Sequence, residues 1–119
     1  MKLKHRVGDF RVRELLDPEY IVERGDYRVY RVTKRKLTTP EAIQVLAREA
    51  GVQPADVGIA GFKDRQGVTI QYMSVSGGKP VSVHSQDLKI DPAGFALEEL
   101  TGEASRGNAF ELNVRDMFA

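Results

Sequence analysis

The chain contains no cysteine. That excludes a disulfide framework and a thiolate metal site, and it gives no sign of secretion. Histidine is almost as scarce, with only His5 and His84 present. Two imidazoles are too few for a multi-histidine metal cluster, so no metal is expected. Long apolar runs are also missing. No stretch approaches the length of a transmembrane helix, and no apolar run follows the basic opening MKLKHRVGDF, so it does not read as a signal peptide. A cytoplasmic protein that needs no membrane is expected. What remains is ordinary globular composition: 119 residues, 41% hydrophobic and 29% charged. That is one domain or part of one, with a modest core.

The formal net charge is only +1, but it is unevenly spread. Residues 1–36 hold eleven Lys or Arg against six Asp or Glu; the remainder holds seven against eleven. A basic face for an anionic partner follows from that asymmetry, as does the plainer alternative of a solvated surface of both signs.

The periodicity predicts an α+β chain: a mixed, mainly antiparallel sheet with one main helix. FRVREL alternates, with Phe10 and Val12 inward and Arg11 and Arg13 outward. DPEYIVERGD reads as a loop, YRVYRVT as a second strand and KRKL as a basic connection. TTPEAIQVLAREAG is the clearest helix. Thr38 or Thr39 can cap it, Pro40 suits its first turn, and Ala42, Ile43, Leu46, Ala47 and Ala50 form its apolar stripe. Gly51 fits a left-handed stop. VGIAGF and GVTIQYMSV are apolar on both faces, like central strands. SGGKP is a break, VSVHSQDLKI is a short strand with a polar turn or a surface loop, and FALEEL and NAFELNVRDM are a last pair of strands.

Three constellations carry chemistry. In GIAGFKDRQGVTIQ, Asp64 sits between Lys63 and Arg65. Two adjacent bases favour its ionised form, and an ionised carboxylate can act as nucleophile or base. A solvated turn would use the same three residues. Gly58 and Gly61 precede the acid and Gly67 follows it, and glycine in a strand marks close approach by something else. Lys63 and Arg65 could hold phosphates. Gln71 could hydrogen-bond to a bound RNA from the next strand or face solvent. In RGNAF, a Gly107-Asn108 turn would present Arg106, Asn108 and Phe110 to a phosphate and a base, or simply close a hairpin over a core Phe. In KHRVGDF, Lys4 and Arg6 precede Phe10, which a core position would also explain.

Taken in order, these segments resemble the start of the TruD family of tRNA pseudouridine synthases. The family opens with a lysine and a DF-x-V-x-E strand, matched by Lys4 and DFRVREL. A helix entry follows, matched by KRKLTTPEAIQVLA. An AG-x-KDR or KDK run ending in T-x-Q is its most specific signature, matched by AGFKDRQGVTIQ. GNAF matches a later GN-x-F strand. The resemblance implies part of a pseudouridine synthase catalytic fold acting on a uridine in tRNA, with no metal or organic cofactor and no DNA partner. It implies that Asp64 is the catalytic carboxylate, acting on a nucleotide flipped from its stack. It further implies that Phe110 stacks on the target base, that Asn108 contacts it, that Lys4 and Phe10 lie near the active centre, and that Lys63 and Arg65 flank the nucleophile. Addition of the carboxylate to the base and abstraction of a sugar proton both remain open.

Two departures are visible. VGDF stands where the family has PEDF, and family members are several times longer than this chain. The expectation is therefore a single unit, 1–119, equivalent to the N-terminal portion of the catalytic domain, truncated or split from the remainder, with a second chain as a candidate partner that completes the sheet. A non-catalytic RNA-binding module using Lys4, Arg6, Lys34, Arg35 and Lys36 on phosphates is the alternative, and a generic interaction domain is a third.

Overall fold

In a computed structural model that describes residues 10–61 and 67–112, the alternating and apolar segments become seven strands and the periodic segment one helix. The strands are β1 (Phe10–Leu16), β2 (Tyr27–Arg35), β3 (Val57–Ile59), β4 (Val68–Ser76), β5 (Val83–His84), β6 (Leu88–Ala96) and β7 (Ser105–Leu112); α1 is Thr39–Ala50. They form one sheet in the order β5-β6-β2-β4-β1-β7, with β3 added on β4. Among the described residues, β1 and β4 make the one parallel pairing. The α+β, mainly antiparallel expectation holds.

Helix α1 forms where its local signals agree. Thr38 caps it: the Thr38 hydroxyl accepts from the Glu41 N–H, and the Glu41 carboxylate accepts from the Thr38 N–H at 2.9 Å. Gly51 ends it in the left-handed region, at φ 78°. Ala42, Leu46, Ala47 and Ala50 are buried against Tyr30, Val32, Met73, Val75 and Ile90 of the sheet, with Ile43 at the margin. A second, smaller cluster on the other sheet face joins Val29, Ala60, Ala96, Leu100 and Ala104 to Tyr20, Ile21 and Tyr72.

One feature of the sheet positions the site. The edge of β4 away from β2 is shared by two strands placed end to end. The first half pairs with β1, from Arg11–Val68 to Arg13–Ile70. The second half pairs with β3, from Ile59–Met73 to Val57–Val75. Between them, at Gln71 and Tyr72, lies a seam where neither ladder continues.

Several local expectations are corrected. GNAF is not a turn: Gly107 and Asn108 lie inside β7. Between Glu14–Asn108 and Leu16–Ser105 the register shifts, and Gly107, at φ 110°, supplies the bulge. A glycine that permits positive φ serves a bulge as readily as a turn, so the dipeptide did not separate the two. FALEEL does not form a strand of its own. Phe95 and Ala96 end β6, and Leu97 is exposed beyond it. β6 runs through Pro92 and Gly94, with a register shift beside them where it faces β2. VSVHSQDLKI resolves into β5, a turn and the start of β6.

Candidate active site

The residues singled out in the sequence fall into three groups. Lys4, Lys63, Asp64 and Arg65 lie outside the described residues, as does Arg6. Phe10, Asn108 and Phe110 are placed by backbone register: Phe10 opposite Leu112, Asn108 opposite Glu14, and Phe110 opposite Val12. Val12 in turn lies opposite Thr69 of β4. The FRVREL, VTIQ and GNAF segments, far apart in sequence, therefore occupy the three adjacent strands β1, β4 and β7.

Gln71 is described in full and is completely buried. Its Nε2 donates to the Gly61 carbonyl at 2.9 Å, and its Oε1 accepts from the Thr39 hydroxyl at 3.1 Å. The carbonyl of Gly61 can only accept, which fixes the amide's orientation and requires Thr39 to donate. Gln71 thus joins β4, the first turn of α1, and the backbone three residues before Asp64. It does not face solvent.

Glu14 completes the seam. It is 2% exposed, and its Oε1 accepts from the Tyr72 N–H at 2.9 Å. The β1–β4 ladder stops at Arg13–Ile70, so a side-chain carboxylate takes the place of the next backbone acceptor. A Cβ at Gly61 would collide with the Glu14 carboxylate. Glycine is there because the acid and the chain come together at that point.

Glu14, Lys34, Thr39, Thr69 and Gln71 are all buried and belong to this end of the sheet. Lys34 pairs across the strands with Thr69, and the Thr69 hydroxyl has no hydrogen-bond partner among the described residues. Sequence reading missed Glu14, Thr39 and Thr69 as site residues. The signal for Glu14 was its spacing: it follows Phe10 and Val12 at intervals of two, on the inward side of the alternation. Lys34 is a correction. As a phosphate contact it would need exposure, but it is 1% exposed, because β2 turns Tyr30, Val32 and Lys34 to the helix-covered face. Arg35 lies 3.5 Å from the Asp87 carboxylate. Lys36 is exposed and takes a left-handed backbone, φ 64°, between β2 and α1.

Arg106 spends its charge within the fold, 3.1 Å from Asp17. The Glu19 N–H and then the Arg106 guanidinium hold the Asp17 carboxyl below its ordinary range, against the opposing effect of desolvation. Among the described residues no group of three or more His, Asp or Glu is placed to share a metal ion, and no helix is long and apolar enough to cross a membrane.

Comparison with known proteins points one way. The family model described as tRNA pseudouridine synthase D (TruD) matches residues 1–119. A Leptospira interrogans protein named tRNA pseudouridine synthase D is 33% identical over 118 residues, covering 97% of this chain and 28% of that protein. One of the same name from Anaeromyxobacter is 35% identical over 117 residues, covering 95% of this chain and 33% of the relative. The chain therefore spans about a third or less of the length of these relatives. In fold it is similar to a Methanosarcina mazei crystal structure, with a TM-score of 0.79 at 24% identity over 99% of this chain and 28% of that one.

Proposed function

We propose, from the premise that the chain belongs to the TruD family of tRNA pseudouridine synthases, that it supplies the catalytic carboxylate, Asp64, of an enzyme isomerising uridine in tRNA to pseudouridine. The observation that carries this reading is the placement of the three motif-bearing segments on adjacent strands. GNAF on β7 is aligned with FRVRE on β1, which is aligned with the start of β4, the strand that follows the Lys63-Asp64-Arg65 segment.

The chemistry asks little of a cofactor. The target nucleotide leaves its stack, the C1′–N1 bond breaks, the uracil turns, and C1′ bonds to C5. The C5 proton is lost and N1 gains one, so the product is an isomer. An ionised Asp64 provides the charge that starts this sequence. Phe110 provides a stacking surface of about 1–3 kcal/mol per base, and Asn108 a hydrogen bond. Lys4, Lys63 and Arg65 hold phosphates, and Phe10 contributes to substrate binding. The chain spans about a third or less of the length of its relatives, so this reading includes further strands of the catalytic sheet, in the same protein or a second chain. A cytoplasmic setting suits a tRNA substrate.

Release of tritium from tRNA labelled at C5 of uridine tests the reading, with Asp64→Asn beside the native protein. Release by the native protein alone is expected, while both bind tRNA with the same steep salt dependence. Full release by Asp64→Asn would overturn the assignment of the carboxylate; no release by the native protein, tested together with any chain that completes the sheet, would overturn the isomerase.

A further inference from the structure

We infer that Gln71, oriented by Thr39, acts with Glu14 as an anchor that fixes the point from which the catalytic segment departs. None of the three needs to touch the substrate; they are positioning residues. The inference rests on the isomerase reading above.

Asp64 lies three residues after Gly61 and four before Val68. The two ends of that span are held differently. Val68 is locked into the sheet on both sides, opposite Arg11 of β1 and Arg35 of β2. Gly61 has no such ladder, because the β3–β4 pairing ends at Ile59–Met73. At that unladdered end the Gly61 carbonyl is taken by the Gln71 amide at 2.9 Å. On the same glycine the Glu14 carboxylate leaves no room for a Cβ, while its other oxygen is held by the Tyr72 N–H. The seam between β1 and β3 is thus closed by side chains that stand in for missing ladder bonds, at the base of the segment that bears the carboxylate.

Glutamine suits this place because it must donate to a carbonyl and accept from a hydroxyl at once. Thr39 occupies the first turn of α1, whose packing on the core makes it a rigid reference. A misplacement of about 1 Å at a reacting group costs on the order of 10²-fold in rate, so the anchor is expected to act on turnover rather than on binding.

The decisive variants are Thr39→Val, which removes the hydroxyl at nearly constant volume, and Thr39→Ser, which restores it. Two quantities are read: kcat and KM for tritium release from C5-labelled tRNA, and amide hydrogen exchange over residues 60–68. Thr39→Val should lower kcat by about tenfold with KM within about twofold of native, and exchange should quicken. Thr39→Ser should return both to within about twofold of native. Native kcat in Thr39→Val, or unchanged exchange, would overturn the anchor. So would an equal fall in both variants, which marks packing rather than the hydrogen bond. If the native protein releases no tritium, the isomerase reading fails and exchange alone decides the anchor: quickening reversed by serine upholds it, and no change overturns it.

Discussion

Gly61 is the residue on which local geometry and chemistry meet. Its side-chain hydrogen is all that the Glu14 carboxylate permits, and that carboxylate is buried and hydrogen-bonded, so it cannot swing aside cheaply. Gly61→Ala is expected to destabilise by about 1–3 kcal/mol, the usual cost of overpacking a filled site. Gly102→Ala is the matched control. Its nearest neighbour is the Ala60 carbonyl oxygen at 3.7 Å, and it should stay within about 0.5 kcal/mol of native. Urea midpoints of the two variants check this, and equal midpoints would contradict it. That Gly61 mattered was visible beforehand, since glycine before an acid at a strand end announces close approach. What approaches it was not. Glu14 and Gln71 are polar letters in strands, and polarity alone points outward; only the seam, a property of three strands together, gives them reason to be inside.

At the scale of elements, legibility followed how local the signals were. Helix α1 was readable from end to end because its cap, stripe and stop lie within fourteen consecutive residues. Thr38→Ala breaks the reciprocal bonds with Glu41 and should cost about 1 kcal/mol, within the range of about 0.5–2 for caps. Thermal unfolding of the variant beside native measures it; an unchanged midpoint would mean that tertiary packing alone holds the first turn. β1, β2 and β4 were equally plain from alternation or continuous apolar runs. β6 was not, because Pro92 and Gly94 look like an interruption. They are tolerated beyond the reach of β5, which pairs only with Lys89 and Ile90, beside the shifted register against β2. The bulge at Gly107 was hidden for a related reason, as it depends on β1 lying alongside.

The whole molecule is dominated by distant pairings. The register joins Arg11 to Val68 and Val12 to Phe110, while β2 and β4 surround α1 and β3 with the longest ladder in the sheet. Topologies of this kind fold in about milliseconds to seconds. Stopped-flow refolding should show that range, with helical signal recovered no later than the rest; submillisecond recovery of the complete sheet would contradict it. Family membership and fold were recoverable from the sequence because the motifs are spread over nearly all of it. The order of strands was not, because no local pattern records that β1 sits between β4 and β7.

That position has a cost during synthesis. β1 leaves the ribosome before both of its neighbours, and Phe110 follows Val12 by 98 residues. At about 5–20 residues per second the first strand waits about 5–20 s for its second partner. An apolar strand left so long with bare edges invites pairing with another nascent chain. The alternating charges of Arg11 and Arg13 in FRVREL work against such pairing until the sheet is ready to receive the strand.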